Sequence, residues 1–291
     1  MAKIFIDAYA DCDLKEAAEA GLELAPSKIK IGKKVYNIAD KIGFSQEQIL
    51  TKIKKGECSV IPLTIKEWAD FFRPYLDNGD DIIMFSISQN LMADGGEDLR
   101  SAFGILQDDY PDRECILIDT LTVSRGTSEI AMLTSIYQRK EQDIKKVLAF
   151  ANNLVGRYVT VLAIDDVDTL QKTNIFKKVS KNFVGTTVNL KPIISINPDG
   201  TIRIVEKVRG FKTATNKLYT IVAQNGENIA DYTFSIVNFA AQEEANKLFD
   251  KFANQVEAND IRNLTCGVHN AINIGGKVVA ITFHAKKYDN W

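Results

Sequence analysis

Three carboxylates, Asp7, Asp11 and Asp13, follow the first apolar run of the chain, Ile4-Phe5-Ile6, and a fourth, Asp119, closes a later run at Ile116-Leu117-Ile118. Open α/β sheets often place ligands beyond the C-terminal ends of parallel strands. Asp7, Asp11 and Asp119 are therefore a candidate set for a divalent cation and metal-dependent catalysis. Strand-end turn chemistry and a helix cap explain the same spacing, with Asp13 and Glu16 matching a capping box. Several other enzyme readings fail on residue supply. His269 and His284 are the only histidines, which excludes a multi-histidine metal site within one chain. The sequence has no G-x-S-x-G elbow, no G-x-x-x-x-G-K-[ST] phosphate loop and no G-x-G-x-x-G fingerprint, and Gly95-Gly96 is too little to claim nucleotide binding.

The elements that must position these groups follow from periodicity. Strand patterns at 3–6, 81–87, 114–119 and 158–164 alternate with helical ones, which predicts βαβ units and a mainly parallel sheet. Ile144, Val147, Leu148, Ala151, Leu154 and Val155 keep one apolar stripe, as do Ala245, Leu248, Phe249, Phe252 and Val256. Trp68, Phe72 and Leu76 share helical spacing from Ile65, with Pro74 predicted to kink or end that helix because it lacks an N–H. The apolar run Ile193-Ile194-Ser195-Ile196 leads into Pro198-Asp199-Gly200, a turn signal, so an antiparallel hairpin is expected, its second strand at 201–208 and an amphipathic helix from near Lys212. Closing strands are expected at 263–268 and 277–283. The pattern divides softly into an N-terminal α/β domain, 1–157, with a mainly parallel sheet and flanking helices, and a C-terminal α/β domain, 158–291, with a mixed sheet.

Across 291 residues, 45% are hydrophobic and 25% charged, the profile of an ordinary globular protein. Lys and Arg number 36 against 38 Asp and Glu, a formal charge of −2, so no global field draws the chain to nucleic acid or an anionic membrane. Basic residues at 28–34 read as solvated faces. No stretch approaches the roughly 20 apolar residues of a membrane span, and Asp7 interrupts any signal core, so the cytoplasm is the expected compartment. Cys12, Cys58, Cys115 and Cys266 are widely spaced and suit reduced thiols.

Asn189-x-Lys191-Pro192-Ile193, the Asp199-Gly200 turn and Lys207-x-Arg209-Gly210-x-Lys212 together resemble the DegV family, which includes the fatty-acid-binding subunits of bacterial fatty-acid kinase. Ile4 to Asp11 looks like that family's first strand and Asp-Ser-Thr-x-Asp turn. Asp119-Thr120 with Ser124 and Gly126 is similar to its second Asp-Ser turn, and Cys266-Gly267-Val268-His269 to its Ile-Gly-x-His. The matches keep the family's order over essentially the whole length.

The resemblance implies a two-domain DegV-like fold and a non-catalytic carrier of a long-chain fatty acid, with no cofactor, that presents its ligand to a kinase subunit for acyl-phosphate formation. Such a carrier needs an apolar tunnel and a polar stop. Each buried methylene is worth about 0.8 kcal/mol, so about sixteen carbons supply on the order of 10 kcal/mol gross, less association costs. Leaving the carboxylate unpaired would offset most of this. Family motifs map the carboxylate contacts onto Ser59, Ser88 and His269. Ser59-Val60-Ile61-Pro62 departs from the family's Thr-Ser-Gln-Pro at its polar pair, and Asp94 replaces a neutral residue near the head group. The family's Gly-Gly-Arg-Ile is missing from 165–176, whereas Lys207, Arg209 and Lys212 remain as candidate docking residues. The alternatives are a scaffold protein of the same fold that has lost the ligand, or the metal-dependent enzyme using Asp7, Asp11 and Asp119.

Overall fold

The computed structural model describes residues 1–38, 40–170, 190–228, 230–256 and 260–286. Strand β1 (Lys3–Ile6) lies between β2 (Leu22–Leu24) and β6 (Ile82–Ser86), with β7 (Cys115–Asp119) beyond β6, and every pairing is parallel. Both faces of this sheet are covered, as all-parallel sheets require. Ile4, Ile6, Ile83 and Phe85 point into a core with α5 (Arg125–Gln138) and α6 (Ile144–Leu154). The alternate residues Phe5, Ile82 and Met84 point into another with α3 (Ile65–Asp77) and α4 (Glu97–Asp109). The period of two along each strand thus feeds two separate cores.

Helix α3 runs through Pro74 for a further turn rather than ending there. Pro74 is exposed, as is Asp70, whose carbonyl loses its partner, so water can satisfy the group that the proline leaves unpaired. Helix α1 (Leu14–Ala20) is capped by Asp13, whose Oδ1 accepts the Glu16 N–H at 2.8 Å. The reciprocal half of the expected box is missing, because the Glu16 carboxylate is spent on Arg125 and Arg262.

A second sheet is antiparallel, with order β4 (Lys34–Asn37), β3 (Lys28–Ile31), β5 (Cys58–Ile61), and α2 (Gln46–Lys54) connects β4 to β5. Periodicity alone had not announced it. The basic run at 28–34 is its hairpin, with Ile29 and Ile31 inward and Lys30, Lys33 and Lys34 exposed.

The third sheet has order β10 (Ile202–Arg209), β9 (Leu190–Ile196), β8 (Tyr158–Ile164), β13 (Val278–His284), β11 (Thr233–Phe239), β12 (Asp260–Thr265). Only β11 and β12 pair in parallel, so the sheet is mixed. Strand β8, expected alongside the parallel strands, is antiparallel to both its neighbours. The hairpin forms as anticipated: Gly200 adopts φ 79°, and Asp199 Oδ1 accepts the Thr201 N–H at 2.9 Å. Short helix α7 (Val167–Leu170) follows β8, and α8 (Phe211–Asn225) and α9 (Gln242–Gln255) cover one face. Val268, expected to end a strand, instead opens α10 (Val268–Ile274). That helix and the small antiparallel sheet cover the other face.

The first two sheets come from residues before Tyr158 and the third from Tyr158 onward, joined by a buried polar seam. Thr160 Oγ1 donates to the Val123 carbonyl at 2.8 Å, and Ser88 Oγ to the Gly200 carbonyl at 2.7 Å. Arg125, fully buried, bonds Glu16 at 2.7 and 2.8 Å and Glu129 at 2.8 Å, while Arg262 of β12 reaches Glu16 at 3.0 Å.

Candidate functional site

The chain leaves β1 toward β2 on one side of the parallel sheet and leaves β6 toward β7 on the other. The crevice beyond the strand ends at such a reversal is the usual ligand site of open α/β sheets. Asp7 and Ile87, which follow these two strands, both line a cavity of about 430 Å³. This falls in the roughly 300–1,000 Å³ range of small-molecule sites.

Strand β5 forms one wall: among the described residues no further strand pairs with its outer edge, and Cys58 to Leu63 border the space. The cavity lies where two cores meet. Leu63, Trp68 and Leu99 belong to the core of α3 and α4, whereas Ile53, Leu91 and Ile272 belong to the core beneath the mixed sheet. Apolar side chains from two layers therefore share the lining of the cavity.

The polar part of the wall is built around α10. His269 is 8% exposed, and its Nε2 lies 2.7 Å from Ser27 Oγ, which lines the cavity. Burial pushes the imidazole down to about 4, so it is neutral near pH 7. In the tautomer with hydrogen on Nε2 the ring donates to Ser27, leaving the serine O–H free to donate into the cavity. Tyr9 packs its ring edge-on against His269 at 5.7 Å and engages the Asn273 side chain, while Asn270 Nδ2 donates to the Tyr9 carbonyl at 2.8 Å. Burial and the nearby Asp7 charge raise the Tyr9 phenol, which keeps its proton. Lys28 borders the cavity in an ion pair with Glu67. Asp94, whose charge would repel an anionic head group, is engaged in the first turn of α4, its oxygens accepting the Gly96 N–H at 2.9 Å and the Asp98 N–H at 2.8 Å.

Of the three expected contacts, Ser59 borders the cavity from β5 and His269 reaches it through Ser27. Ser88 is fully buried next to the wall residue Ile87, but its hydroxyl is spent on Gly200 and it is absent from the wall. Ser27 was not anticipated. The signal was there: Ser27, Ile29 and Ile31 alternate inward, so the serine is a polar residue in a buried register. Lys207 and Arg209 lie on β10, the edge strand of the mixed sheet, and Lys212 is exposed on α8. The segment at 165–176 is described only through Leu170.

The metal reading finds no cluster. Asp7 Oδ1 accepts the Tyr9 N–H at 2.9 Å, Asp11 takes Ser124 at 2.5 Å and the Gly267 N–H at 2.7 Å, and Asp119 takes the Leu121 and Gln89 N–H groups at 3.0 and 3.2 Å. Among the described residues no three Asp, Glu, His or Cys side chains converge as a metal site. Among those residues, too, no helix is long and apolar enough to cross a membrane.

A family model described as "Uncharacterised protein, DegV family" matches residues 1–286. A DegV domain-containing protein of Streptococcus pyogenes serotype M3 is 22% identical over 279 residues, 96% of each chain. The DegV family protein of Ruminococcus gnavus, solved with vaccenic acid, superposes with a TM-score of 0.80 at 18% identity, covering 97% of this chain and 99% of that one. A stearic-acid-binding protein of Eubacterium ventriosum gives 0.82 at 16% identity over 100% of both chains. With the whole-length family match, the same mixed α/β architecture and a cavity at the reversal of the parallel sheet, the chain belongs to the DegV family.

Proposed function

We propose that this protein is a cytoplasmic carrier that binds one long-chain fatty acid in the cavity and presents its carboxyl group, without catalysis of its own, to a kinase partner that forms the acyl phosphate. The observation that carries the reading is a largely apolar cavity of about 430 Å³ with Ser27 in its wall, bonded to the buried His269. Neighbours of the same fold hold vaccenic and stearic acids, which supports the ligand class. The acyl chain lies against the Trp68, Leu99 and Leu91 side, gaining about 0.8 kcal/mol per buried methylene. The carboxylate meets Ser27, oriented by His269, and Ser59 on β5. Ser88 joins them when its hydroxyl exchanges the Gly200 carbonyl for the ligand. Lys207, Arg209 and Lys212 form the docking surface for an acidic face of the kinase.

The test is extraction and mass spectrometry of whatever lipid travels with freshly purified protein, followed by loading with vaccenate. One fatty acid per chain is the expected result. A chain that carries none and takes up none would be a DegV-fold scaffold instead. The kinase step is read separately, by trapping acyl phosphate as the hydroxamate when loaded protein, ATP and a fatty-acid kinase are combined.

A further inference from the structure

Among the described residues of the cavity wall, Asp7 is the one with a buried side-chain oxygen that the fold leaves without a partner. It is 3% exposed. Its Oδ1 accepts the Tyr9 N–H at 2.9 Å, but Oδ2 has no hydrogen-bond partner among the described residues. A buried carboxyl oxygen with no donor costs free energy comparable to a lost charge-assisted hydrogen bond. Such an atom beside a ligand cavity is a place where the ligand can supply what the fold does not.

We propose that Asp7 is a ligand-contacting residue, its Oδ2 paired through a single shared proton with the carboxyl group of the bound fatty acid. The inference rests on the fatty-acid reading of the cavity and adds a second carboxyl to the head-group site. Two carboxylates at contact in a water-excluded space cannot both stay ionised, and sharing one proton converts their repulsion into a short, strong hydrogen bond. The proton comes from solvent on loading and returns there on release. Asp7 is ready for the role, since burial, outweighing the Tyr9 N–H and a weaker pull from the Ile87 N–H, pushes its carboxyl up to about 6.

Among the described residues, the other ionisable groups around the site are engaged as follows. On the turn after β1, the Tyr9 phenol is raised and protonated, and Asp11, whose carboxyl burial also raises, stands off the cavity wall and is held by Ser124 and Gly267. From α10, His269 stays neutral above about pH 4. From β3 and α3, Lys28 and Glu67 pair with each other. Burial raises the Cys58 thiol on β5, and Asp94, in the loop before α4, is bonded to the backbone of that helix's first turn. Asp7 is thus the group of this wall placed to gain a proton near neutrality.

The experiment measures proton uptake on loading. Full-length protein is titrated with vaccenate, kept monomeric by cyclodextrin, in calorimetry buffers of differing ionisation enthalpy, and the Asp7→Asn variant serves as comparison. Wild type should take up close to one proton per ligand at about pH 8 and little at about pH 5, where Asp7 already carries its proton. Its affinity should fall about tenfold per pH unit above about pH 7. D7N, whose amide N–H donates at every pH, should bind with no proton uptake and a flat pH profile. Tight binding by wild type without proton uptake, or an equal pH slope in D7N, overturns the role of Asp7 while leaving the carrier reading intact. Failure of vaccenate to bind wild type at any pH ends both. The wild-type proton count stands whether or not D7N folds well.

Discussion

The unliganded protein offers an independent check on the buried carboxyl, through the pH dependence of its stability. The perturbation is Asp7→Asn. A carboxyl with a pKa raised from 3.8 to about 6 on folding stabilises the folded state fully below about pH 4. That contribution disappears as pH rises through 6, because the folded protein then buries a charge that the unfolded chain hydrates. The displacement of about two units corresponds to about 3 kcal/mol. Asparagine keeps the Oδ1 contact with the Tyr9 N–H and carries no charge, so D7N should gain about 3 kcal/mol on wild type between about pH 4 and pH 7. His269 runs the other way. Its pKa falls from 6.5 to about 4 on folding, so its contribution is present above pH 6.5 and is lost as pH drops toward 4. Between these limits the two groups oppose each other, and burial also raises Asp11 and Asp119 and lowers His284, so the difference between wild type and D7N, rather than either slope alone, isolates Asp7. Urea unfolding of both proteins at half-unit steps from pH 4.5 to 7.5 reads the difference directly. A wild-type and variant pair whose stability difference stays constant across that range would refute the desolvation argument.

Ser27→Ala removes one charge-assisted hydrogen bond to a carboxylate, about 1.5–3 kcal/mol, and should weaken vaccenate binding by about 10- to 150-fold. His269→Ala should do the same with no further loss in the double variant, since Nε2 acts through Ser27; additive losses would show two independent contacts. Gly200→Ala would place a Cβ 2.5 Å from Ser88 Oγ at φ +79°, and should destabilise by about 2 kcal/mol or more in urea unfolding. A cost under about 0.5 kcal/mol would mean that the hairpin turn does not seat against β6. Arg125→Met should cost up to about 3–5 kcal/mol, because it removes the 2.8 Å partner of the buried Glu129 carboxylate and two of the bonds to Glu16, leaving Arg262, at 3.7 and 3.0 Å, as the cation for both. Wild-type stability in that variant would show the pairs to be dispensable.

What could be read directly from the chain was whatever is encoded within about ten neighbouring residues. The strand at β1, the stripe of α6 and the Pro198-Asp199-Gly200 hairpin depend on periodicity and turn chemistry, and each formed where expected. Family motifs carried the fold class further than periodicity could. The small antiparallel sheet escaped notice because its strands are only four residues long, with lysines interrupting β3 and β4, too short for a period to declare itself. The short α10 was hidden because Gly267-Val268 continues an apolar, strand-like run, and only the packing of its buried face selects the helix.

The site itself lay beyond local reading. Ser27 and His269 are 242 residues apart in the chain and 2.7 Å apart in space, joined because α10 packs beneath the sheet that Ser27 enters. Asp7 looked like a strand-end turn or a metal ligand until its burial and its unpaired oxygen were seen beside the cavity. Ser88 carried a family-like flank, yet its hydroxyl is engaged by a carbonyl 112 residues away. Hydrophobic patterning and turn residues act through near neighbours, so the sequence alone determined the longer elements and the fold class, but not the short strands of the antiparallel sheet or α10. Desolvation and hydrogen-bond partners are properties of assembled surfaces, so only the tertiary structure decided which polar groups face the cavity and which are spent holding its walls together.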